Sequence, residues 1–199
     1  MSISVNTKES WLPVLEQARD ITGFSEKDER LIRKTTEYLL PYAGEIADEF
    51  YSVILDFEAS ASILKEVDPE EKFGEKRLKP WIESLLRGNF DDSFWTWHWV
   101  IGLILLQHRI NRCDLILLIG ILQKMLIAKI FATFSEKSAL PITLAFLNLT
   151  NCLSRLALKS YQAKFNKTLD SAGMKRIVFD RMISLEVKKE LKHLNTLTV

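Results

Sequence analysis

The stretch WTWHWVIGLILLQHRINRCDLILLIG, residues 95–120, decides how this chain is read. Its apolar residues recur at spacings of three and four, the period of a helix rather than a strand. His98 and His108, two of the chain's 3 histidines, both stand in this run. A histidine in apolar surroundings is either the ligand of something buried or a polar group that the fold must satisfy with hydrogen bonds. His98, Leu105 and His108 are spaced so that they fall along one stripe of a helix. Which role the histidines play decides whether a metal cofactor belongs to the chain.

The same helical period extends outward from this segment. With only 7 Gly and 5 Pro in 199 residues, the pattern predicts an all-α protein. A first helix is expected over about 11–21, with Ser10 as N-cap and Gly23 just past its end. Ser25 opens a second helix, with Asp28 placed as in a capping box. That helix runs to Pro41, and another follows from Tyr42. A short turn over 62–67 comes next. Asp68-Pro69 then starts a helix that ends at Gly88, and Pro80 inside it should kink it. Asp91 or Asp92 opens the aromatic helix. An apolar helix follows Asn111 to about Phe134, and another runs from Pro141 to about Thr168. After a break at 170–173, residues 175–194 are amphipathic, with Phe179, Met182, Ile183, Val187, Leu191 and Leu194 at helical spacing. The division expected is therefore a main domain over 1–169, with a short pre-helix at 10–22, and a C-terminal helical extension over 170–199. The extension needs a partner surface: its own domain, a second copy or an effector.

Composition narrows the function classes. Hydrophobic residues are 47%, charged residues 27% and the net charge +1, so nothing global points to nucleic acid or an acidic substrate. Basic runs such as Lys188-Lys189 are broken by Glu186 and Glu190, which also argues against nucleic acid. The uncharged run Ser93 to His108 is shorter than the roughly 18–20 residues a membrane span requires. Cys113 and Cys152 have no metal-site spacing, and the N-terminus does not read as a secretory signal. The expectation is a cytoplasmic protein with free thiols. No nucleophile elbow, phosphate-binding loop, dinucleotide glycine pattern or His-Glu-x-x-His helix appears, and no carboxylates are paired in an apolar setting. The chain does not read as an enzyme.

Local sequence carries a resemblance. GEIADEFYSVIL (44–55), LKPWIESLLRGNFDDSFW (78–95) and IGL (101–103) together resemble the sensor globins, the protoglobins and the heme domains of globin-coupled sensors. Phe50-Tyr51 matches the family's aromatic pair, Leu86 to Asp91 its turn, and Ile101-Gly102 its Ile-Gly. The resemblance covers about residues 25–165 and rests on the order and spacing of motifs that are individually unspecific. It implies a globin-like fold with an extra C-terminal helix, and a pocket lined by Phe50, Tyr51, Trp81, His98, Ile101 and Leu105. The family places its heme-ligating histidine three residues after the Gly of Ile-Gly, where this chain has Leu105. Asn111-Arg112-Cys113-Asp114 resembles the stretch that follows the ligand in protoglobins, which supports that register.

Two readings follow. In one, a helix shifted by a turn brings His108 to the iron of heme b, with Tyr51 as the distal residue that hydrogen-bonds bound oxygen or another gas. Peroxidase or nitric-oxide chemistry would also need His108. In the other, which takes Leu105 at face value and is preferred, the protein is a hemeless sensor globin. It would bind a fatty-acyl-like apolar molecule in the pocket or a signalling partner around it. The kinase, cyclase or chemotaxis modules that accompany globin-coupled sensors do not fit in the residues after the globin. The chain therefore reads as a stand-alone sensor, with output through a partner or a homodimer made by 175–194.

Overall fold

The structure, a computed structural model, describes residues 7–56, 74–174 and 176–197. Among them there is no strand. The chain divides into two compact units, with the break after Ser160.

The first unit opens with α1 (Thr7–Thr22), a turn longer at its N-terminus than the expected start at Ser10. Side chains of α5 (Asp92–Gln107) hold this extra turn. Lys8 pairs with Asp92, and the Trp11 indole donates to Thr96 Oγ1 at 3.0 Å. α2 (Glu26–Leu39) begins as expected, its Ser25 backbone N–H donating to the Asp28 carboxylate at 2.9 Å. A 3-10 turn over Leu40–Tyr42 absorbs Pro41 and leads into α3 (Ala43–Asp56). The expected turn over 62–67 and the helix start at Asp68-Pro69 lie outside the described residues.

The expected kink at Pro80 is replaced by another arrangement. A π-helical turn over Gly74–Leu78 feeds α4 (Lys79–Arg87), which places Pro80 in the first α-helical turn. There a missing N–H removes no bond that the α-helix would otherwise make, so the ring is accommodated at the junction. The far end of α4 is closed by α2. Thr36 Oγ1 donates to the Leu86 carbonyl at 3.0 Å and Arg33 Nη2 to the Gly88 carbonyl at 3.2 Å, a cation at the negative end of a helix. Gly88 has φ +68, and a Cβ there would lie 3.0 Å from the Arg33 backbone nitrogen. Both facts call for glycine.

α5 starts at the N-cap Asp91, whose side chain accepts from the Phe94 N–H at 2.9 Å. It ends at His108, the C-cap. Beyond it the Ile110 N–H returns to the Leu105 carbonyl at 2.9 Å and the Arg109 N–H to Leu106 at 3.2 Å, a Schellman closure. That closure puts Arg109 at φ +58, where glycine is usual. α6 (Arg112–Thr133) is capped by Asn111, which accepts from the Cys113 N–H. By length and composition α6 could cross a membrane, although Leu122, Leu126 and Ile130 are buried in the core of this unit.

α7 (Glu136–Ser171) begins before Pro141, where the sequence reading placed its start. Ser135 supplies the opening carbonyl to Ser138 and Ala139. Pro141 then sits on an exposed side of the helix, where the Lys137 carbonyl it leaves unmatched can face water. The core of the unit gathers Ile32, Leu39, Ile46, Ile82, Leu85, Leu122, Leu126, Ile130, Leu149 and Leu153.

The second unit takes the last part of α7, with Tyr161 and Phe165 stacked at 6.5 Å. Gly173, at φ +78, ends that helix within the expected break. α8 (Arg176–Leu197) follows. Ile177, Val178, Met182, Ile183, Leu185 and Val187 on α8 are exposed.

Candidate functional site

α3, α4 and α5 bring together three of the residues singled out in the sequence. Phe50, from α3, is buried and stacks on Trp81 of α4, with ring centroids 6.0 Å apart and planes 30° from parallel. The Trp81 indole Nε1–H then donates to His98 Nε2 at 2.9 Å. His98 is 2% exposed, and its other nitrogen, Nδ1, lies 2.8 Å from the Phe94 carbonyl one helical turn back. The Phe94 ring lies against the imidazole, centroid to centroid 4.3 Å.

These contacts fix the tautomer of His98. An indole nitrogen can only donate, so Nε2 must be the acceptor and Nδ1 carries the proton given to Phe94. The ring is therefore neutral, with both nitrogens committed. Burial among aromatic rings penalises the imidazolium and holds the His98 pKa down at about 4, although the Phe94 carbonyl would by itself favour the charged form. Protonation at Nε2 would set one N–H against another and expel the indole.

The other singled-out residues are not gathered at this pair. Tyr51 is half-buried against the core. Leu105, two turns along α5 from His98, is 9% exposed and lies outside the main core cluster. Ile101 is half-buried, and His108 stands past the last helical residue of α5, also half-buried. Among the described residues no group of three or more His, Cys, Asp or Glu is placed to hold a metal ion.

Two features of α5 escaped the sequence reading. Phe94 supplies both the carbonyl and a ring to His98; its position one turn before the histidine was the available signal. The second is the crossing of α5 and α7. A Cβ on Gly102 would overlap the Ala157 carbonyl oxygen and come within 2.6 Å of Ser160 Oγ. Ser160, fully buried, donates to the Trp99 carbonyl at 2.5 Å. Gly102 thus lets two helices approach to backbone contact, with Ser160 bonding across the crossing. Nothing in the local pattern around Ser160 announced that bond.

A helical domain in which α5 is clamped between the aromatic residues of α3 and α4 and the long α7 has a globin-like architecture. The protoglobin family model matches residues 14–167, and the chain belongs to that family. Among solved structures it is similar to the globin domain of a Geobacter sulfurreducens globin-coupled sensor. The two share 18% identity with a TM-score of 0.66, over 73% of this chain and 96% of that one. At this identity the likeness is one of fold. No curated protein sequence matches. The chain is a protoglobin-family protein with a globin-like fold.

Proposed function

We propose that this chain is a sensor globin that works without heme, as a non-enzymatic signalling module read out by contact with a partner protein. The observation that carries this reading is the double commitment of His98. A heme iron takes a lone pair from one neutral imidazole whose other nitrogen is steadied by an acceptor. His98 has the steadying acceptor, Phe94 O, but its lone pair is engaged by the Trp81 indole. The position the family uses for the ligand is Leu105, which has no lone pair to give. His108, half-buried, is the C-cap of α5, where the Schellman closure ends the helix. His98 and Leu105 therefore offer iron no free lone pair, which supports the heme-free reading and leaves His108 as the ligand the alternative would need.

The same geometry favours a partner over a fatty-acyl guest. Trp81 is fixed on one side by stacking on Phe50 and on the other by the bond to His98. An apolar guest lodged between Trp81 and His98 would have to break that bond and leave a buried imidazole nitrogen unmatched, at about 1–3 kcal/mol. A cytoplasmic location accords with this reading. The test is expression with a heme precursor, followed by visible spectroscopy and mass spectrometry of the organic extract. A colourless protein from which no stoichiometric small molecule is recovered is the expected result. A Soret band lost in His108→Ala would instead establish the heme-bound alternative, with Tyr51 distal.

A further inference from the structure

α8 carries apolar residues on two of its sides. By the period of the helix, Ile183 and Val187 stand on one side, and Leu191 and Leu194 continue that spacing in the sequence. One such stripe is what a helix needs to pack on a neighbour. The other side has a different character. Ile177, Val178, Met182 and Leu185, all exposed, share an arc of about 140° with the exposed cations Arg181 and Lys188. Lys189 and Lys192 fall on the same arc by their place in the sequence, whereas Asp180, Glu186 and Glu190 fall outside it. Whatever covers the first stripe, this apolar and basic arc is left over.

Charge distinguishes among possible occupants. Residues 1–160 hold 19 Lys and Arg against 22 Asp and Glu, a net −3, whereas residues 161–199 hold 8 against 4, a net +4. In the same unit Lys164, Phe165 and Lys167 of α7 are exposed as well. A second copy docking by this arc would set positive against positive, which suppresses that pairing. A dry groove on another protein suits it no better. Arg181 lies inside the arc, between Ile177 and Leu185, and a guanidinium sealed among apolar groups carries a large desolvation cost. A lipid surface separates the two demands. The aliphatic residues sink to the acyl boundary, while Arg181 and Lys188, on long apolar stems, reach the headgroup phosphates. The 22 residues of α8 include 5 basic and 3 acidic ones, too many charges to cross a bilayer and a composition suited to lying along it.

We propose that α8 is an interfacial helix that docks the protein on an anionic lipid surface. Ile177, Val178, Met182 and Leu185 enter the headgroup layer, and Arg181 and Lys188 meet its phosphates. This docking goes beyond the heme-free reading and holds or fails independently of it.

The test is co-sedimentation of the chain with vesicles of phosphatidylcholine alone and of phosphatidylcholine mixed with phosphatidylglycerol. Binding to the anionic vesicles and not to the neutral ones, weakening as salt is raised, is the expected result. Arg181→Glu and Leu185→Ser alter exposed side chains and should keep the wild-type circular dichroism while each weakens binding about tenfold. Lys27→Glu, at an exposed position of α2, makes the same change of net charge as Arg181→Glu and should bind as wild type does. Equal binding to the two kinds of vesicle, no binding to either, or an equal loss in Lys27→Glu overturns the proposal. So does a dimer in sedimentation velocity that Leu185→Ser dissolves, since the arc would then be a contact between copies. A chain that ignores vesicles but binds a glutamate-rich amphipathic peptide, and loses it in Arg181→Glu, overturns it in favour of a protein partner.

Discussion

Acidification should expose His98 as a stability group whose contribution is removed by His98→Leu. The folded-state pKa, about 4, lies below the ordinary value of 6.5. As pH falls, the unfolded chain binds the proton first, so unfolding is increasingly favoured. The stability tied to the neutral ring is complete above the unfolded pKa and drains between roughly pH 6.5 and 4. A shift of this size corresponds to about 3 kcal/mol. His98→Leu has no group to titrate there. At pH 7 it leaves the Trp81 indole N–H unmatched, which costs about 1–3 kcal/mol. The gap between the two proteins, measured by urea unfolding with far-ultraviolet circular dichroism at several pH values, should therefore shrink steadily toward pH 4 and approach or cross zero. Carboxylate titrations contribute to both proteins and cancel in the difference. A gap that stays constant from pH 7 to pH 4 would refute the assignment of a buried neutral His98 bonded to Trp81.

Other expectations follow from local geometry. Gly102→Ala should lower stability by about 3 kcal/mol in thermal melts, because the new methyl meets the Ala157 backbone and no side chain can yield; an unchanged melting temperature would contradict the close crossing. Gly88→Ala should cost about 1–2 kcal/mol from its positive φ alone, with a further loss from the approach to Arg33; a loss of only that size would mean that α2 and α4 are not in close contact there, and a neutral effect would contradict the left-handed φ as well. Arg109→Gly should stabilise by about 0.5–1 kcal/mol, since it removes the strain of a left-handed arginine. A loss of stability in that variant would show that the Arg109 side chain contributes more than its backbone costs.

Much of the architecture was legible because it is written in local chemistry. Ser25-x-x-Asp28, Asp91 before the aromatic helix, Asn111 before the apolar one and Gly173 after the long one each act within a few residues. Their effects can be read without tertiary information. The misplaced boundaries share a different cause. The extra turn of α1 depends on Lys8 and Trp11 meeting a helix more than eighty residues away. Pro141 and Pro80 read as breaks by local rules, but one lies where the unmatched carbonyl can face water and the other where a π turn absorbs it. At the candidate site, period alone placed His98 and Leu105 on one stripe of α5. That Trp81 would donate to His98 required the packing of α4 on α5, and its residues gave no sign of that bond. Gly102 was recognised as part of the Ile-Gly motif, and its physical role at the α7 crossing emerged only with the fold.

The central claim, that this protoglobin-family chain functions without heme iron, is tested most directly by titrating the purified chain with hemin and following the visible spectrum. The account predicts no saturable Soret band beyond that of hemin in buffer, in wild type and in His98→Ala and His108→Ala alike. A stoichiometric Soret band in wild type that collapses in either histidine variant would contradict it.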